Sequence, residues 1–316
     1  MPSKVRLIAI DIDGTLLPSS GTTISRRNRH ALRDAQTASM HIVIATGRRH
    51  QYAVPVLEQA GLSPRTVLIS SNGSIARHFD GELIARTLLP VKSARALCPA
   101  LRPFGQTMVF TFDREYRPSL VVESMASLHL RIGAWVEANR HDMVEIAPLE
   151  RAFDHDEAPI QAMLCGNIAQ VRTAQQAIAG TDLAADITMH RTEYAERDLG
   201  ILDLLPPGCS KGDALGDYAR SLGLEAAEVM AIGDNFNDQT MLEYAGQAAV
   251  MGNAAEEMRE LAVQRGWSVI QSNDEDGVAK MLEPLIRDAQ QARSAENRGT
   301  EVVAAVVTSE NGIRSR

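Results

Sequence analysis

Residues 8–17 read Ile8-Ala9-Ile10-Asp11-Ile12-Asp13-Gly14-Thr15-Leu16-Leu17, an apolar run that ends in two carboxylates two positions apart. A continuous aliphatic, β-branched run of this length is the pattern of a strand buried on both faces of a parallel sheet. Negative charge at the end of such a strand is costly unless the strand opens there onto a site that uses it.

The same kind of run recurs at 41–45 (HIVIA), 66–70 (TVLIS), 228–232 (EVMAI), 248–251 (AAVM) and 267–270 (WSVI), with the first strand starting near Val5. Helix-like patterns lie between these runs, at 25–39, 54–61, 211–223 and 238–246. Strand and helix patterns in alternation predict an α/β fold with a doubly wound parallel sheet. The middle third differs. Residues 86–205 mix helix-like stretches (91–105, 167–180) with candidate strands (107–112, 119–123, 160–166, 186–191, 199–205), which predicts an inserted α+β domain of about 120 residues. The expected division is core at 1–85, insert at 86–205, core again at 206–287 and a frayed tail at 288–316, with the run Val302-Val303-Ala304-Ala305-Val306-Val307 as a segment that could dock.

Composition narrows the class. The chain has 316 residues, is 45% hydrophobic and carries a formal net charge of −8, so no general electrostatic pull toward nucleic acid or an anionic membrane is expected. No apolar run approaches the ~20 residues of a membrane helix. Cys98, Cys165 and Cys209 form no CxxC or Cys/His spacing and read as free thiols of a cytoplasmic protein. With 4% aromatic residues, nothing in the sequence separates a monomer from a homodimer.

Four predicted strands end in polar or glycine-containing sequence: DIDGT (11–15), TGR (46–48), SNG (71–73) and GDNFND (233–238). Ligands of open parallel sheets bind beyond the carboxyl ends of the strands, so these segments can meet in one crevice. Asp11, Asp13, Asp234 and Asp238 would supply hard oxygen ligands suited to Mg²⁺. Mg²⁺ and Lys211 together would make the acidic end receptive to phosphate, with Thr46, Gly47 and Asn237 donating to phosphoryl oxygens. Beside phosphorus, Asp11 becomes a candidate nucleophile and Asp13 a candidate acid and base. Arg48 and Asn72 complete the candidate substrate contacts.

The ordered set DIDGTLL, ATGR, SNG, SKGDAL and GDNFNDQTML closely resembles the haloacid-dehalogenase superfamily of phosphatases, in the Cof-type subgroup with a large α/β cap. The resemblance covers residues 5 to about 285. It implies a Rossmann-like core with an inserted α+β cap, a nucleophile at Asp11 and an acid/base at Asp13. It further implies Mg²⁺ held by the carboxylates of Asp11 and Asp234 and the backbone carbonyl of Asp13, with Asp238 supporting the metal's water shell. Phosphate contacts fall on the Ile12 backbone, Thr46, Gly47, Lys211 and Asn237. The expected substrate is a small phosphorylated metabolite, such as a sugar phosphate, that is hydrolysed through an aspartyl phosphate. A sugar phosphomutase and a slow phosphometabolite sensor are the alternatives.

Plainer readings stand beside these. Asp-x-Asp-Gly is often only a strand-end turn, and Leu16 stands where a calcium-binding EF-hand loop needs glycine. The Lys211 segment lacks GxxxxGK[ST], which excludes a P-loop. Asp238 could simply cap the helix that follows. A Cys209 that met Lys211 would have a lowered pKa; packing is the simpler expectation. His129, His155 and His190 lack ligand spacing and read as structural, and Arg49 is expected to face solvent.

Overall fold

The computed structural model describes residues 5–105, 107–115, 117–128 and 130–293. His129 and the 302–307 run lie outside them. The chain begins with β1 (Leu7–Ile10), α1 (Arg26–Thr37), β2 (His41–Ala45), α2 (His50–Glu58) and β3 (Val67–Ser70), followed by a hairpin of β4 (Ile75–His78) and β5 (Leu83–Arg86). It continues through α3 (Val91–Leu101), β6 (Met108–Thr111), β7 (Leu120–Val122), α4 (Gly133–Asn139), β8 (Met143–Glu145), β9 (Gln161–Gly166), α5 (Ile168–Ala179), β10 (Thr188–Tyr194) and β11 (Leu199–Leu205). It returns with α6 (Lys211–Ser221), β12 (Val229–Gly233), α7 (Gln239–Tyr244), β13 (Gln247–Val250), α8 (Glu256–Arg265), β14 (Ser268–Val269) and a last helix, α9, over 277–293.

These strands form two sheets. The core sheet has the order β14-β13-β12-β1-β2-β3-β4-β5, parallel from β14 to β3 and antiparallel in the final hairpin. All six strands expected in the core are present. β1 is buried on both sides, as its unbroken apolar run requires: Ile8 and Ile10 pack with α1 residues Ala31, Leu32 and Ala35, while Leu7 and Ala9 pack with α6 residues Leu215 and Ala219. The Ser25 Oγ accepts from the Asn28 N–H at 3.0 Å, which satisfies one free donor at the start of α1.

The second sheet, β10-β11-β9-β6-β7-β8, is antiparallel except for β7 with β8. All its strands lie between 108 and 205, inside the expected insert. One face packs on α3 and α5 through Leu97, Leu101, Val171 and Ile178. The Asn167 side chain caps α5 by accepting from the Gln170 N–H at 2.8 Å, and the Gln170 side chain returns the bond at 3.1 Å. The architecture is thus a Rossmann-like core with an α+β cap, the cap sheet's other face turned toward the ends of the core strands.

One boundary differs. The segment expected as tail from 288 is helical as far as the described residues go: α9 covers 277 through 293, the last of them, and Leu282, Ile286 and Ala289 recur on one side and bury against the cluster under α1. No helix among the described residues is long and apolar enough to cross a membrane.

Candidate active site

β12, β1, β2 and β3 are neighbours, so the four polar strand ends lie side by side. The Asp11 N–H donates to the Ile232 carbonyl at 3.0 Å, extending the ladder one residue past β1. The chain then makes a wide, non-helical turn over Ile12–Leu16, closed by the Leu17 N–H donating to the Ile12 carbonyl at 2.9 Å, with Gly14 at φ +80°. That glycine is required twice over. A Cβ there would sit in the left-handed region and would lie 2.3 Å from Asp234 Oδ2. The Thr15 hydroxyl donates to Asp234 Oδ1 at 3.0 Å, tying the β1 end to the β12 end. Ile12 buries its side chain in the core, which leaves only its backbone to serve the site.

Lys211 is fully buried at the start of α6, where Ser210 Oγ accepts from the Asp213 N–H at 3.0 Å. Its Nζ donates to Asp11 Oδ1 at 2.8 Å and to Asp238 Oδ1 at 2.6 Å. Burial works against the ammonium, but Asp11 and Asp238 outweigh it and raise the Lys211 pKa. Burial likewise raises the Asp11 pKa against the pull of Lys211, and Asp238 and Asp13 add to the rise. Asp234 is pushed well up by burial and then by Asp11 and Asp238.

Asp238 does not cap the helix that follows: its side chain makes no cap bond to α7 and turns back toward the end of β12 instead. Its Oδ2 accepts from the N–H groups of Asp234 (3.0 Å) and Asn235 (3.1 Å), while its Oδ1 holds Lys211. Carboxylate oxygens of Asp11, Asp234 and Asp238 all lie within 4.8 Å of one another. Counting Asp13, four carboxylates face two cations, Lys211 and Arg48, so the cluster is short of two positive charges. A hard divalent cation fits this donor set in charge and in ligand type.

Asp13 stands at the edge of the cluster, its side chain 42% exposed, in a two-pronged ion pair with Arg48: Nε to Oδ2 at 2.7 Å and Nη2 to Oδ1 at 2.6 Å. This bond to Asp13 is the main cause of a raised Arg48 pKa. Thr46 is fully buried; its Oγ1 accepts from the Arg48 N–H at 3.1 Å and its carbonyl from the Asn72 N–H at 3.1 Å. Asn72 is held at φ +53°, with its Nδ2 donating to Asp203 Oδ2 at 2.9 Å and its Oδ1 accepting from Asn237 Nδ2 at 3.1 Å. Gly47 lies against it, where an added Cβ would be 3.2 Å from Asn72 Oδ1. Both ends of the Asn72 amide therefore have protein partners, which gives it a bracing part between the cap and Asn237.

These groups open into a cavity of about 440 Å³ between the core strand ends and the cap sheet. Asp11, Asp13, Gly47, Arg48, Asn72 and Asn237 line its core side, and Gln161, Thr192 and Asp203 belong to its cap side. Asp203 and Gln161 were not singled out in the sequence, although an acid inside the apolar strand LGILDLL (199–205) was a readable signal. Burial lifts the Asp203 carboxyl to about 7, against Lys211 and the Asn72 bond.

Arg49 does not face solvent. Its side chain is 11% exposed, ion-paired with Asp142, bonded to Asn139 Oδ1 at 2.7 Å and stacked over the Tyr52 ring at 4.5 Å. Cys209 packs, as the simpler reading expected: burial pushes its thiol up to about 11, and it touches Ser74 Oγ at 3.6 Å. All three cysteines are buried and free. His190 is buried in β10 with its pKa lowered by that burial, and neither it nor His155 joins a metal-ligand cluster among the described residues.

The sequence model of the haloacid dehalogenase-like hydrolases matches residues 8–282, both halves of the core and the whole cap. The chain belongs to that family. Among relatives of this haloacid dehalogenase-like hydrolase, the phosphatase YwpJ of Bacillus subtilis is 30% identical over 297 residues, covering 89% of this chain and 100% of its own. The HMP-PP phosphatase of Serratia proteamaculans is 30% identical over 287 residues, covering 89% of this chain and 96% of its own. A solved haloacid dehalogenase-like hydrolase from B. subtilis superposes with a TM-score of 0.71 at 27% identity, covering 88% of this chain and 99% of that one. A sugar phosphatase of HAD subclass IIB shares the fold, with a TM-score of 0.70 at 22% identity over 88% of this chain and 98% of its own.

Proposed function

We propose that this hydrolase is a Mg²⁺-dependent phosphomonoesterase of small phosphorylated metabolites, sugar phosphates among them, working through a phosphoryl group carried on Asp11. The observation that carries the reading is the placing of Asp11: buried at the cavity floor, held on Oδ1 by a fully buried lysine, with Asp13 two residues on at the cavity edge. Relatives across nearly the full length are phosphatases, including one of 5-amino-6-(5-phospho-D-ribitylamino)uracil, which supports a small-molecule ester as substrate.

In this reading the Asp11 carboxylate attacks phosphorus while the ester P–O bond breaks, and Asp13 gives its proton to the departing oxygen. Asp13 then accepts a proton from the water that attacks the phosphoryl group, the bond between phosphorus and Asp11 breaks, and inorganic phosphate leaves. Lys211 orients Asp11 and offsets charge growing on the phosphoryl oxygens; Thr46, Gly47, Asn237 and the Ile12 backbone are the further phosphate contacts. Asp11 and Asp234, with the Asp13 carbonyl and with Asp238 behind them, would hold Mg²⁺, which when bound neutralises phosphate charge. The Arg48 pair occupies both Asp13 oxygens, so it must loosen for Asp13 to move a proton. The cap, which we take as residues 86–205, excludes bulk water from the cavity.

The test is release of phosphate from p-nitrophenyl phosphate with Mg²⁺ present. Activity should vanish in Asp11→Asn and on addition of excess EDTA; either preparation retaining full turnover contradicts the mechanism.

A further inference from the structure

The turn after β3 is strained and buried at once. Ser71 and Asn72, neither of them glycine, hold φ +50° and +53°, and Gly73 follows at φ +106°. Ser71 and Asn72 are each 1% exposed. Consecutive non-glycine residues in the left-handed region persist only where their surroundings over-determine them, and such strain gathers at working sites. Glycine would take the Asn72 conformation at no steric cost, so the side chain needs a reason of its own.

The contacts of the turn supply that reason. The Ser71 N–H donates to the Arg48 carbonyl at 2.9 Å and the Asn72 N–H to the Thr46 carbonyl at 3.1 Å, which fastens the turn to the segment after β2. The Ser74 hydroxyl donates to the Ile160 carbonyl, just before β9 of the second sheet, at 2.9 Å in a buried bond. The Asn72 side chain reaches two ways, to Asp203 Oδ2 of β11 at 2.9 Å and to Asn237 Nδ2 at 3.1 Å. One buried turn therefore joins three parts of the molecule: the core strand ends, the cap sheet and the segment after β12 that carries Asn237.

The direction of these bonds is forced. An ionised carboxylate only accepts, so Asp203 must face the amino end of the Asn72 amide, and the carbonyl end is left to face Asn237. Asn237 can meet a carbonyl oxygen only with its own amino group. An amide nitrogen has two hydrogens, and Asn237 lines the cavity, so one hydrogen held by Asn72 leaves the second for a phosphoryl oxygen. Turned over, the same side chain would offer phosphate a carbonyl oxygen, which repels it. Orientation thus runs from the cap sheet through two amides to the cavity.

We propose that Asn72 is a positioning residue: it takes its orientation from Asp203 in the cap sheet and passes it to Asn237, so that this hydrogen-bond donor to the phosphoryl group is set only while the cap is seated. Asp203 acts here through Asn72 and needs no contact with the organic part of the substrate. The part of Asn237 toward phosphate rests on the phosphomonoesterase reading, whereas the orientation of its amide is measurable in the free protein.

Two variants test it at pH 8, above the value of about 7 to which burial lifts the Asp203 carboxyl. Asn72→Gly removes the amide at a position whose φ of +53° glycine takes without strain, and Asp203→Asn keeps the shape but can face Asn72 either way round. In isotope-labelled protein followed by NMR, the side-chain amide signals of Asn237, assigned by their loss in Asn237→Ser, should shift or broaden in both variants. Inorganic phosphate, which has no organic part, should inhibit p-nitrophenyl phosphate turnover with a Ki raised about tenfold or more in each, the usual effect of losing a hydrogen bond to a charged group. In an Asn237→Ala background neither substitution should raise that Ki further. A protein that turns over no ester counts against the catalytic reading alone, because the Asn237 signals still decide the positioning. Asn237 signals or a phosphate Ki unmoved by Asp203→Asn, or effects that multiply with Asn237→Ala as a general structural loss would, overturn it.

Discussion

Lys211 shows how much of the site rests on one side chain. It is the buried cation between Asp11 and Asp238, and Lys211→Met would leave both carboxylates facing each other without it. Removing one partner of a buried ionic group typically costs about 3–5 kcal/mol. The variant should melt at a clearly lower temperature and lose phosphatase activity; a melting point equal to wild type would contradict the electrostatic account. His190 has a different signature. Burial lowers its pKa below the ordinary 6.5, with Cys209 backbone, Lys211, Asp213 and Asp238 as its surroundings, so the folded protein refuses a proton that the unfolded chain accepts. Its neutral form therefore stabilises the fold above pH 6.5, and that contribution is lost as the pH falls below it. On acidification from pH 7.5 to 5.5 the wild type should lose more melting temperature than His190→Gln, and parallel curves would dismiss the effect. Asp11, Asp13, Asp234 and Lys211 were legible as residues because each ends a strand or begins a helix within a recognisable pattern. Gln161 and Tyr52 were not, since their place beside the cavity emerges only from the packed structure.

Among elements, the link between α2 and the end of α4 holds the cap against the core. Arg49 at the head of α2 pairs with Asp142, Gln51 donates to the same carboxylate at 3.1 Å, and the Ser119 N–H donates to its other oxygen at 2.8 Å. Although burial opposes it, these bonds keep the Asp142 pKa below the usual carboxylate value. With side chains 11% and 13% exposed, the pair is better shielded from solvent than an ordinary surface bridge. A double-mutant cycle of Arg49→Met and Asp142→Asn should return a coupling of about 0.5–3 kcal/mol, with faster amide exchange in α4. Additive single effects would remove the link. Elements with strong apolar patterns were readable from sequence: all six core strands, α1, α6 and the larger cap strands. The β4–β5 hairpin was not, because every residue of β5 is exposed and Leu83-Ile84-Ala85-Arg86 carries no alternation. α4 is seven residues long, too short to show a helical period, and α8 buries only Met258 and Ala262 within a charged segment. The extent of α9 was hidden for a related reason: its inward residues are spaced within a polar stretch and gain their meaning only from the cluster beneath α1.

At the scale of the molecule, the chain folds a floor of core strand ends and a roof of cap sheet from separate stretches and joins them over one cavity. The floor was legible because four strand ends of a parallel sheet must lie together once the strand order is known. The roof was not, since which face of an antiparallel cap sheet looks inward depends on how the cap sits on the core. Asn72 connects the two, reaching Asp203 above and Asn237 beside it. The central claim is that Asp11 itself carries the phosphoryl group. Mixing the enzyme with Mg²⁺ and a turned-over ester, quenching in acid within a single turnover and mapping the peptides by mass should find one phosphoryl group on Asp11. A quenched protein without phosphate during rapid turnover, or phosphate on any other residue, would contradict the account.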